Sequence, residues 1–431
     1  MALIVQKYGG TSVADPERVK FVAEHVAKTK RAGNDVVVVV SAPAGMTDDL
    51  THRAALITDM PNPREMDMLL STGEQISIAL TALALHELGV GAISFTGPQV
   101  CIRTDDAHQK ARIMDINANK IGHELAQGNV VVVAGFQGID NNGEITTLGR
   151  GGSDTTAVAI AAAIGADVCE IYTDVDGVYT ADPRVVPNAT KLAKISYDEM
   201  LELASLGAKV LHPRSVEVAK LHDVKLAVRS SFNTHIGGTY VVKSEEIEKE
   251  YAVTGIACDK NVAKVAILGV EDRPGIAAEV FAALSAEKIN VDMIIQSAEV
   301  NNLNDIVFTI PKSDAKRCKL IIENLKSTLD YREAFVDDNV VKISAVGAGM
   351  VGAHGVAARM FSALRDAGIN IDLSGTSEVK ISVVIKRTTS SLRRACKPFT
   401  TLLNSIPLNK TSGRGNPVFF CEQFAEFVYL I

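Results

Sequence analysis

Runs of valine at residues 36–40 and 130–133 constrain the fold of this chain more than any other feature. A strand with one face in solvent alternates apolar and polar residues, and these runs do not alternate. They are therefore buried on both faces, as in a parallel sheet that helices cover on each side. Shorter apolar runs at 3–5 and 168–173 extend the same pattern.

Helical stretches with clear end signals separate these strands. Asp15 followed by Pro16 places a cap residue before a proline, and Gly33 closes that helix. A second helix opens at Ser71 and continues with apolar residues to Gly89. The alternation predicts a three-layer α/β/α domain with a mostly parallel sheet over residues 1–242.

The composition is that of a globular protein large enough for two to four domains, with 431 residues of which 47% are hydrophobic. The formal net charge of −7 gives no support for nucleic-acid binding. We expect no membrane span and no secretory signal, because no apolar run approaches about 18 residues. Six singly scattered cysteines predict neither disulfides nor a zinc site, and the expected compartment is the cytoplasm.

An internal repeat follows a charged segment, 243–262, for which we predict a linker. Residues 272–293 match residues 350–373, with identities such as Gly275 with Gly355 and Asn290 with Asn370, always 80 positions apart. Each copy is typical of a ferredoxin-like βαββαβ unit. We therefore expect two small domains of one type, at 263–340 and 341–431.

The tail from residue 387 differs from the rest of the chain. It carries six Lys or Arg and two Glu, and it holds six of the 21 aromatic residues. A closing amphipathic helix for the second repeat is expected there, but Pro398 interrupts the best candidate. We interpret the tail as a reading-frame change or a lineage-specific extension.

Lys7 and the turn Gly9-Gly10 follow the first strand. Glycines there let backbone N–H groups approach a phosphate, and the lysine adds positive charge. An ordinary glycine turn with a surface lysine explains the same residues, and both interpretations stay open.

Two further segments have ordinary explanations beside functional ones. Ser41 and Thr47 follow the second strand, where hydroxyls could bind a substrate, or where the loop is simply capped. Ser71 and Glu74 have the spacing of a capping box, in which glutamate bonds to the cap residue. Glu74 is otherwise a candidate partner for a substrate ammonium group.

Arg150, Gly151 and Gly152 stand directly before a helix that Ser153 and Asp154 could cap. An arginine and two glycines at a helix N-terminus also make an anion site with several donors. We favour the anion site.

The segment at 172–184 is rich in Asp, Thr and Tyr. A β-hairpin turned at Asp176-Gly177 is one interpretation. The other is a nucleotide platform with acidic residues near Mg²⁺. Lys209 is a second cation that could serve a phosphate, and His212 is more simply structural.

Five stretches together resemble the aspartate kinases of the amino acid kinase family: KYGGTSV, STGEQIS, TTLGRGGSDTTA, YTDVDGVYTADPR and GAKVLHPRS. The resemblance implies transfer of the ATP γ-phosphoryl group to the β-carboxylate of L-aspartate, with Mg²⁺ accompanying ATP. That reaction is the first step towards lysine, threonine, methionine and diaminopimelate.

The resemblance also assigns roles to residues. It implies a catalytic set of Lys7, Arg150, Asp154 and Lys209. It implies aspartate contacts from Ser41, Thr47, Glu74, Arg150, Gly151, Gly152 and Ser153. It implies ATP contacts from Lys7, Tyr8, Gly9, Gly10, Thr173, Asp174, Tyr179, Asp182, Arg184, Lys209 and Val210.

The repeats resemble tandem ACT domains, which sense amino acids. Lysine, threonine or both are the implied inhibitors, and a homo-oligomer or an α₂β₂ assembly is implied because ACT domains pair. The implied effector contacts are Asp272, Gly275, Asn290, Asp292, Gln296, Asn370 and Ile371.

Two other functions compete with aspartate kinase. One is phosphorylation of glutamate or acetylglutamate by another amino acid kinase, which the tandem repeats and the STGEQIS stretch disfavour. The other is a catalytically silent amino-acid sensor, which the presence of Lys7, Arg150 and Lys209 disfavours.

Overall fold

The computed structural model describes residues 1–207, 210–247, 251–297 and 301–387, and the side chain of residue 351 is not described. Lys209 and the tail beyond residue 387 therefore lie outside the described residues.

An eight-stranded sheet forms the centre of the N-terminal domain. Its strand order is β10-β12-β11-β9-β1-β2-β6-β3, and every neighbouring pair is parallel except β11 with β12. The strands are β1 Leu3–Tyr8, β2 Asp35–Val40, β3 Ala92–Phe95, β6 Val130–Ala134, β9 Val168–Thr173, β10 Lys194–Ser196, β11 Leu226–Ser230 and β12 Thr239–Val242. The valine runs are β2 and β6, whose valines are all buried, so the prediction for them is confirmed.

Helices cover both faces of this sheet. One core lies between the sheet and α1 with α4, and a second lies between the sheet and α5, α6, α7 and α8. The helices are α1 Pro16–Arg31, α2 Met46–Ala55, α3 Pro63–Leu70, α4 Thr72–Glu87, α5 Asn119–Ala126, α6 Gly152–Ile164, α7 Tyr197–Ser205 and α8 Pro213–His222. The predicted three-layer α/β/α architecture is confirmed.

A small side sheet packs beside the main one. Its order is β5-β4-β7-β8, and β8 contacts α3. The strands are β4 Ile102–Thr104, β5 Ile113–Ile116, β7 Gln137–Ile139 and β8 Ile145–Thr147. This sheet ends close to the N-terminus of α6, and it thereby contributes to the cavity described below.

Helices α3 and α4 follow each other with hardly a break. The stretch Pro63–Glu87 is long and apolar enough to cross a membrane by length and composition alone. Half of its most apolar part is buried within the protein, where α4 packs on α1. A buried core helix of an α/β/α domain has the same composition.

The first repeat forms the predicted βαββαβ unit, with strand order β15-β16-β14-β17. Its own core is built from the inner faces of the strands and from two helices. Its elements are β14 Val262–Glu271, α9 Ile276–Ala286, β15 Ile294–Gln296, β16 Leu303–Pro311, α10 Ala315–Leu325 and β17 Glu333–Asp337.

The second repeat takes one strand from before the first repeat. Its sheet order is β13-β18-β20-β19, and β13 occupies the edge beside β18 that β17 occupies beside β14 in the first repeat. Its described elements are β13 Gly255–Asp259, β18 Val340–Val346, α11 Val356–Asp366, β19 Leu373–Thr376 and β20 Lys380–Lys386.

This topology corrects the domain boundaries inferred from the sequence. Part of the segment 243–262 is not a linker, because β13 pairs with β18 from Gly255 opposite Val346 to Asp259 opposite Lys342. The domain at 263–340 is inserted into the second domain, which therefore starts before residue 263. The closing helix expected in the tail lies outside the described residues.

The two small domains hold each other through crossed ion pairs. Lys264 of β14 lies 3.1 Å from Asp372 of the second domain. Lys342 of β18 pairs in return with Asp292 of the first domain. The lysines lie on the equivalent strands β14 and β18, and the aspartates precede the equivalent strands β15 and β19, so the contact has approximate twofold symmetry.

Candidate active site

A cavity of about 500 Å³ opens where β1 and β2 end and α6 begins. The carboxyl ends of parallel strands are the usual binding edge of an open α/β sheet. Nine residues that the sequence singled out line the cavity: Lys7, Ser41, Thr47, Glu74, Arg150, Gly151, Gly152, Ser153 and Asp154. The other lining residues are Ala42, Leu70, Gln109, Phe136, Thr147 and Gly149.

Lys7 and Asp154 form an ion pair in this cavity. Their Nζ and Oδ1 atoms are 2.6 Å apart, and both side chains are largely buried. The strand β1 presents the lysine and the first turn of α6 presents the aspartate. The pair neutralises each charge at a place where either one alone would be expensive to bury.

Glu74 does not form the capping box that its spacing allows. Ser71 makes no side-chain cap for α4, and its hydroxyl donates instead to the carbonyl of Met68. The Oε1 atom of Glu74 accepts the Ala42 N–H at 3.0 Å. Its buried Oε2 atom has no hydrogen-bond partner among the described residues.

Burial raises the pKa of Glu74 to about 7, although the N–H of Ala42 works in the opposite direction. A carboxylate with one unpartnered buried oxygen is poised to accept a cationic donor that enters the cavity.

The loop before α6 brings Arg150 to the cavity. Gly151 has a left-handed φ of +70°, and a Cβ atom there would lie 2.1 Å from Cγ of His212, so only glycine fits. Arg150 itself is exposed and has no ion-pair partner within the described ranges. Its guanidinium is thus available for an anion at the N-terminus of α6.

Tyr8 does not line the cavity. Its ring is buried on the opposite side of the sheet from Lys7 and stacks on Tyr172, with ring centres 4.7 Å apart. Its hydroxyl lies 2.7 Å from Nδ1 of His25. The ATP contact that the resemblance implies for Tyr8 stays a prediction, and the buried ring leaves only the backbone of Tyr8, next to the turn Gly9-Gly10, to make it.

The proposed nucleotide residues follow β9 beside the cavity rather than in its wall. Thr173 ends β9, and the Gly9 N–H donates to the carbonyl of Tyr172 at 3.4 Å, which joins this strand end to the glycine turn. The hydroxyl of Thr173 donates to Asp174, which is exposed. Val210 is partly buried, and Lys209 falls outside the described residues.

The hairpin interpretation of 172–184 is wrong. Residues 174–193, which connect β9 to β10, are all described and contain no strand. Their one β-bridge joins Tyr179 to Lys191. Tyr179 donates to Asp176 at 2.9 Å, and Arg184 pairs with Asp182. The segment is an irregular polar loop that starts at the carboxyl end of β9.

The sequence assigned no role to six of the wall residues, among them Gln109, Phe136 and Thr147. Gln109 and Phe136 both have left-handed backbones, with φ of +65° and +71°, which is uncommon for residues other than glycine and typical of functional sites. Thr147 is fully buried at the end of β8. Phe136, two residues after β6, and Thr147, inside the stretch TTLGRGGSDTTA, each had an available signal, whereas nothing local marks Gln109.

Comparison with known sequences places the chain in a family. The amino acid kinase family model matches residues 2–230, and an ACT domain model matches residues 265–324 and 343–395. The aspartokinase of Corynebacterium glutamicum is 52% identical over 390 residues, which covers 90% of this chain and 93% of that protein. The chain belongs to the aspartate kinase family. The aspartate kinase of Pseudomonas putida, 51% identical over 90% of this chain and 94% of that protein, agrees.

Solved aspartate kinases share the fold. Escherichia coli aspartokinase III, solved with aspartate and ADP, has a TM-score of 0.78 at 27% identity, covering 92% of this chain and all of that one. The Synechocystis aspartate kinase is 46% identical with a TM-score of 0.53, covering 96% of this chain and 71% of that one. The tandem ACT interpretation of the repeats is thus confirmed, and the chain is a kinase.

The predicted effector residues lie in the two ACT domains. Gly275 precedes α9, Asp272 accepts from Asn304 at 2.9 Å, and Asp292 is already paired with Lys342. The remaining four are Asn290, Gln296 and Asn370, which are exposed, and Ile371, which packs on the core of the second ACT domain.

Proposed function

We propose that the cavity holds L-aspartate beside the γ-phosphoryl group of ATP, and that the chain makes 4-phospho-L-aspartate there. The supporting observation is the convergence of Lys7, Glu74 and the segment with Arg150 and Asp154 from three separate parts of the chain. Two cations and two carboxylates in one cleft match a zwitterionic acceptor that meets a polyanionic donor.

The acceptor half is built for an amino acid. The unpartnered oxygen of Glu74 receives the substrate ammonium group, because it is a buried acceptor that needs a donor. Arg150 grips the α-carboxylate at the N-terminus of α6. Ser41, Thr47 and Ser153 add hydroxyl groups around the bound aspartate.

In the chemical step, the protein has to position the two substrates and neutralise the charge of the phosphoryl group. The β-carboxylate is already a nucleophile, so no general base is required. Holding it in line with the γ-phosphorus and neutralising the phosphoryl oxygens accounts for catalysis. Lys7 supplies that charge, and Asp154 fixes the ammonium of Lys7 in the cavity.

The nucleotide half lies along the end of β9. Gly9, Gly10 and Lys7 meet the phosphates, and the loop with Thr173, Tyr179 and Arg184 holds the rest of the nucleotide. Asp182 and Val210 belong to the same side, as does Lys209, which lies outside the described residues.

Mg²⁺ would bind to the protein together with ATP, as a ligand of its phosphates. The described residues contain no group of three or more His, Cys, Asp or Glu side chains that could hold a metal ion. Single exposed carboxylates such as Asp174 fit the usual Mg²⁺ site, which needs only one or two of them beside phosphates and water. When bound, the ion offsets negative charge on the phosphoryl oxygens.

Feedback control is proposed to act through the ACT domains, with lysine, threonine or both as effectors. A solved relative, E. coli aspartokinase III, is known with lysine and aspartate, at 27% identity and a TM-score of 0.73. We propose pairing of ACT domains in a homo-oligomer or an α₂β₂ assembly, and a cytoplasmic location beside the other enzymes of amino-acid synthesis.

A coupled assay tests the proposal. The chain is supplied with ATP and Mg²⁺, and ADP release is followed with aspartate, glutamate or acetylglutamate as acceptor. We expect turnover with aspartate far above the other two. Equal rates with aspartate and glutamate would point to a different amino acid kinase, and no rate with any acceptor would point to a silent sensor.

A further inference from the structure

Asp67 is a buried carboxylate whose partners form the cavity wall. It lies on α3, is fully buried, and does not itself line the cavity. Its oxygens accept the Gln109 N–H, at 3.1 Å to each, and the Thr147 hydroxyl at 2.6 Å. Nδ1 of His108 lies 2.7 Å from its Oδ2. A charge buried this deeply persists only with such a complete set of donors.

Two of these partners line the cavity. Gln109 holds its left-handed backbone while Asp67 accepts its N–H from behind, and Thr147 is fixed by its hydroxyl. A strained backbone persists where its surroundings determine it, and Asp67 is the group that does so here.

The wall segment at Gln109 packs against the loop that carries Arg150. Gly149 has a φ of +75°, and a Cβ atom there would lie 2.8 Å from the carbonyl oxygen of Gln109. The loop at 109 therefore packs directly against the residue before Arg150. A shift of Gln109 must displace the loop that carries the guanidinium.

We propose that Asp67 is a positioning residue of the acceptor site, which holds Gln109 and Thr147 in place and thereby sets Arg150 for the amino-acid carboxylate. This inference rests on the proposed function of the cavity. Asp67 acts through its partners, so its loss is felt in acceptor binding and not at the nucleotide.

The Asp67→Asn variant tests this role at nearly constant volume. Because the Gln109 N–H reaches both oxygens, an asparagine places its NH₂ group against a donor in either orientation. Hydrogen bonds to charged groups are among the stronger ones, so we expect KM for aspartate to rise about tenfold or more. We expect kcat and KM for ATP to stay within about twofold, since Lys7 and the β9 loop do not touch Asp67.

A matched control separates positioning from general loss of stability. Asp140, in the turn between β7 and β8 of the same side sheet, accepts the N–H groups of Asn142 and Glu144 at 2.8 Å each. It does not line the cavity. Asp140→Asn should lower the melting temperature while leaving KM for aspartate unchanged.

A second variant keeps the proposal testable if Asp67→Asn does not fold. Thr147→Val removes one donor to Asp67 and leaves the Gln109 bonds in place, so KM for aspartate should rise in the same direction. The inference is overturned if both foldable variants keep the wild-type KM for aspartate, or if Asp67→Asn raises KM for ATP equally. Absence of aspartate-dependent activity in the wild-type chain would instead refute the proposed function.

Discussion

Nζ of Lys7 lies 2.6 Å from Oδ1 of Asp154, and this ion pair joins the end of strand β1 to the first turn of helix α6. Each partner supplies the counter-charge that the other needs inside the cavity. In the proposed reaction, a phosphoryl group that enters beside them brings negative charge to Lys7, while Asp154 holds the lysine ammonium in place.

Replacing Lys7 should act on turnover more than on binding. Lys7→Ala removes the positive charge that offsets the phosphoryl oxygens, and losing one such group costs about 10²–10³ in kcat. Steady-state kinetics with varied aspartate would measure it. Lys20→Ala is a suitable control, because Lys20 is exposed on α1 and, among the described residues, pairs only with Glu17. A kcat within threefold of wild type would contradict the role.

Glu74 should give the acceptor site a pH dependence. Burial raises its pKa to about 7, so below that pH the free enzyme holds a neutral side chain that cannot pair with an ammonium group. We expect kcat/KM for aspartate to rise with pH through about 7 and then level. In Glu74→Gln this rise of kcat/KM for aspartate with pH should be absent, whereas kcat/KM for ATP should keep its wild-type pH profile.

The raised pKa of Glu74 also makes the stability of the fold depend on pH. The folded-state pKa of Glu74 is raised above its ordinary value of 4.5, so the folded state binds the proton more tightly than the unfolded chain. Its contribution favours folding below about pH 4.5 and is lost as pH rises through about 7. Glu74→Gln should therefore lose less stability than wild type over this window in denaturant melts. A parallel loss in both proteins would mean that Glu74 is not buried as described.

Arg150 should govern aspartate binding. Arg150→Ala removes a two-pronged grip on the α-carboxylate, and charge-assisted hydrogen bonds are worth about 1.5–3 kcal/mol each. We expect KM for aspartate to rise about 10²-fold and KM for ATP to change far less. Arg53→Ala, at an exposed pair on α2, is the control. Unchanged saturation by aspartate would defeat the assignment.

Arg214 should behave as a clamp on the same loop. Its Nη1 and Nη2 atoms donate to the carbonyls of Leu148 and Ala111 at 2.8 and 2.9 Å. A lysine keeps the charge but cannot reach both carbonyls in a fixed fork. Arg214→Lys should therefore raise KM for aspartate by about tenfold with kcat nearly kept, as kinetics at saturating ATP would show.

The fold was readable from the sequence wherever its signal was local. The valine runs identify the two buried central strands, because burial on both faces removes the alternation. The strand at Gly255–Asp259 was missed because its partner, β18, follows a whole inserted domain. No local pattern records that pairing, and the flanking charged residues resemble a linker.

The site was predictable in its charged groups and less so in its walls. Lys7, Arg150 and Asp154 stand beside glycines at strand and helix ends, which is a local signal. The burial of the Tyr8 ring away from the cavity was foreseeable, since neighbouring strand residues point to opposite faces and Lys7 faces the cavity. Gln109 could not be foreseen, because its backbone N–H bonds to Asp67 on a distant element, α3.

Glu199 should couple the catalytic domain to the regulatory one. Its Oε2 accepts from Ser196 in the cap of α7, while its buried Oε1 accepts the Thr254 hydroxyl at 2.7 Å and the Ala348 N–H at 2.8 Å. Thr254 and Ala348 flank strands of the second ACT domain. One carboxylate thus fixes a catalytic-domain helix to the sensor.

We expect Glu199→Gln to weaken the response to lysine and threonine while leaving basal activity unchanged, because the residue is remote from the cavity. Coupling of about 1–3 kcal/mol is typical of allostery, so its loss appears as a 5- to 150-fold rise in the inhibitory concentration. Glu202, on the same helix as Glu199, forms a more exposed pair with Lys380 of β20. Glu202→Gln should change that concentration much less, since partly solvated pairs contribute little. Equal inhibition curves for wild type and Glu199→Gln would show that the signal crosses between the domains elsewhere.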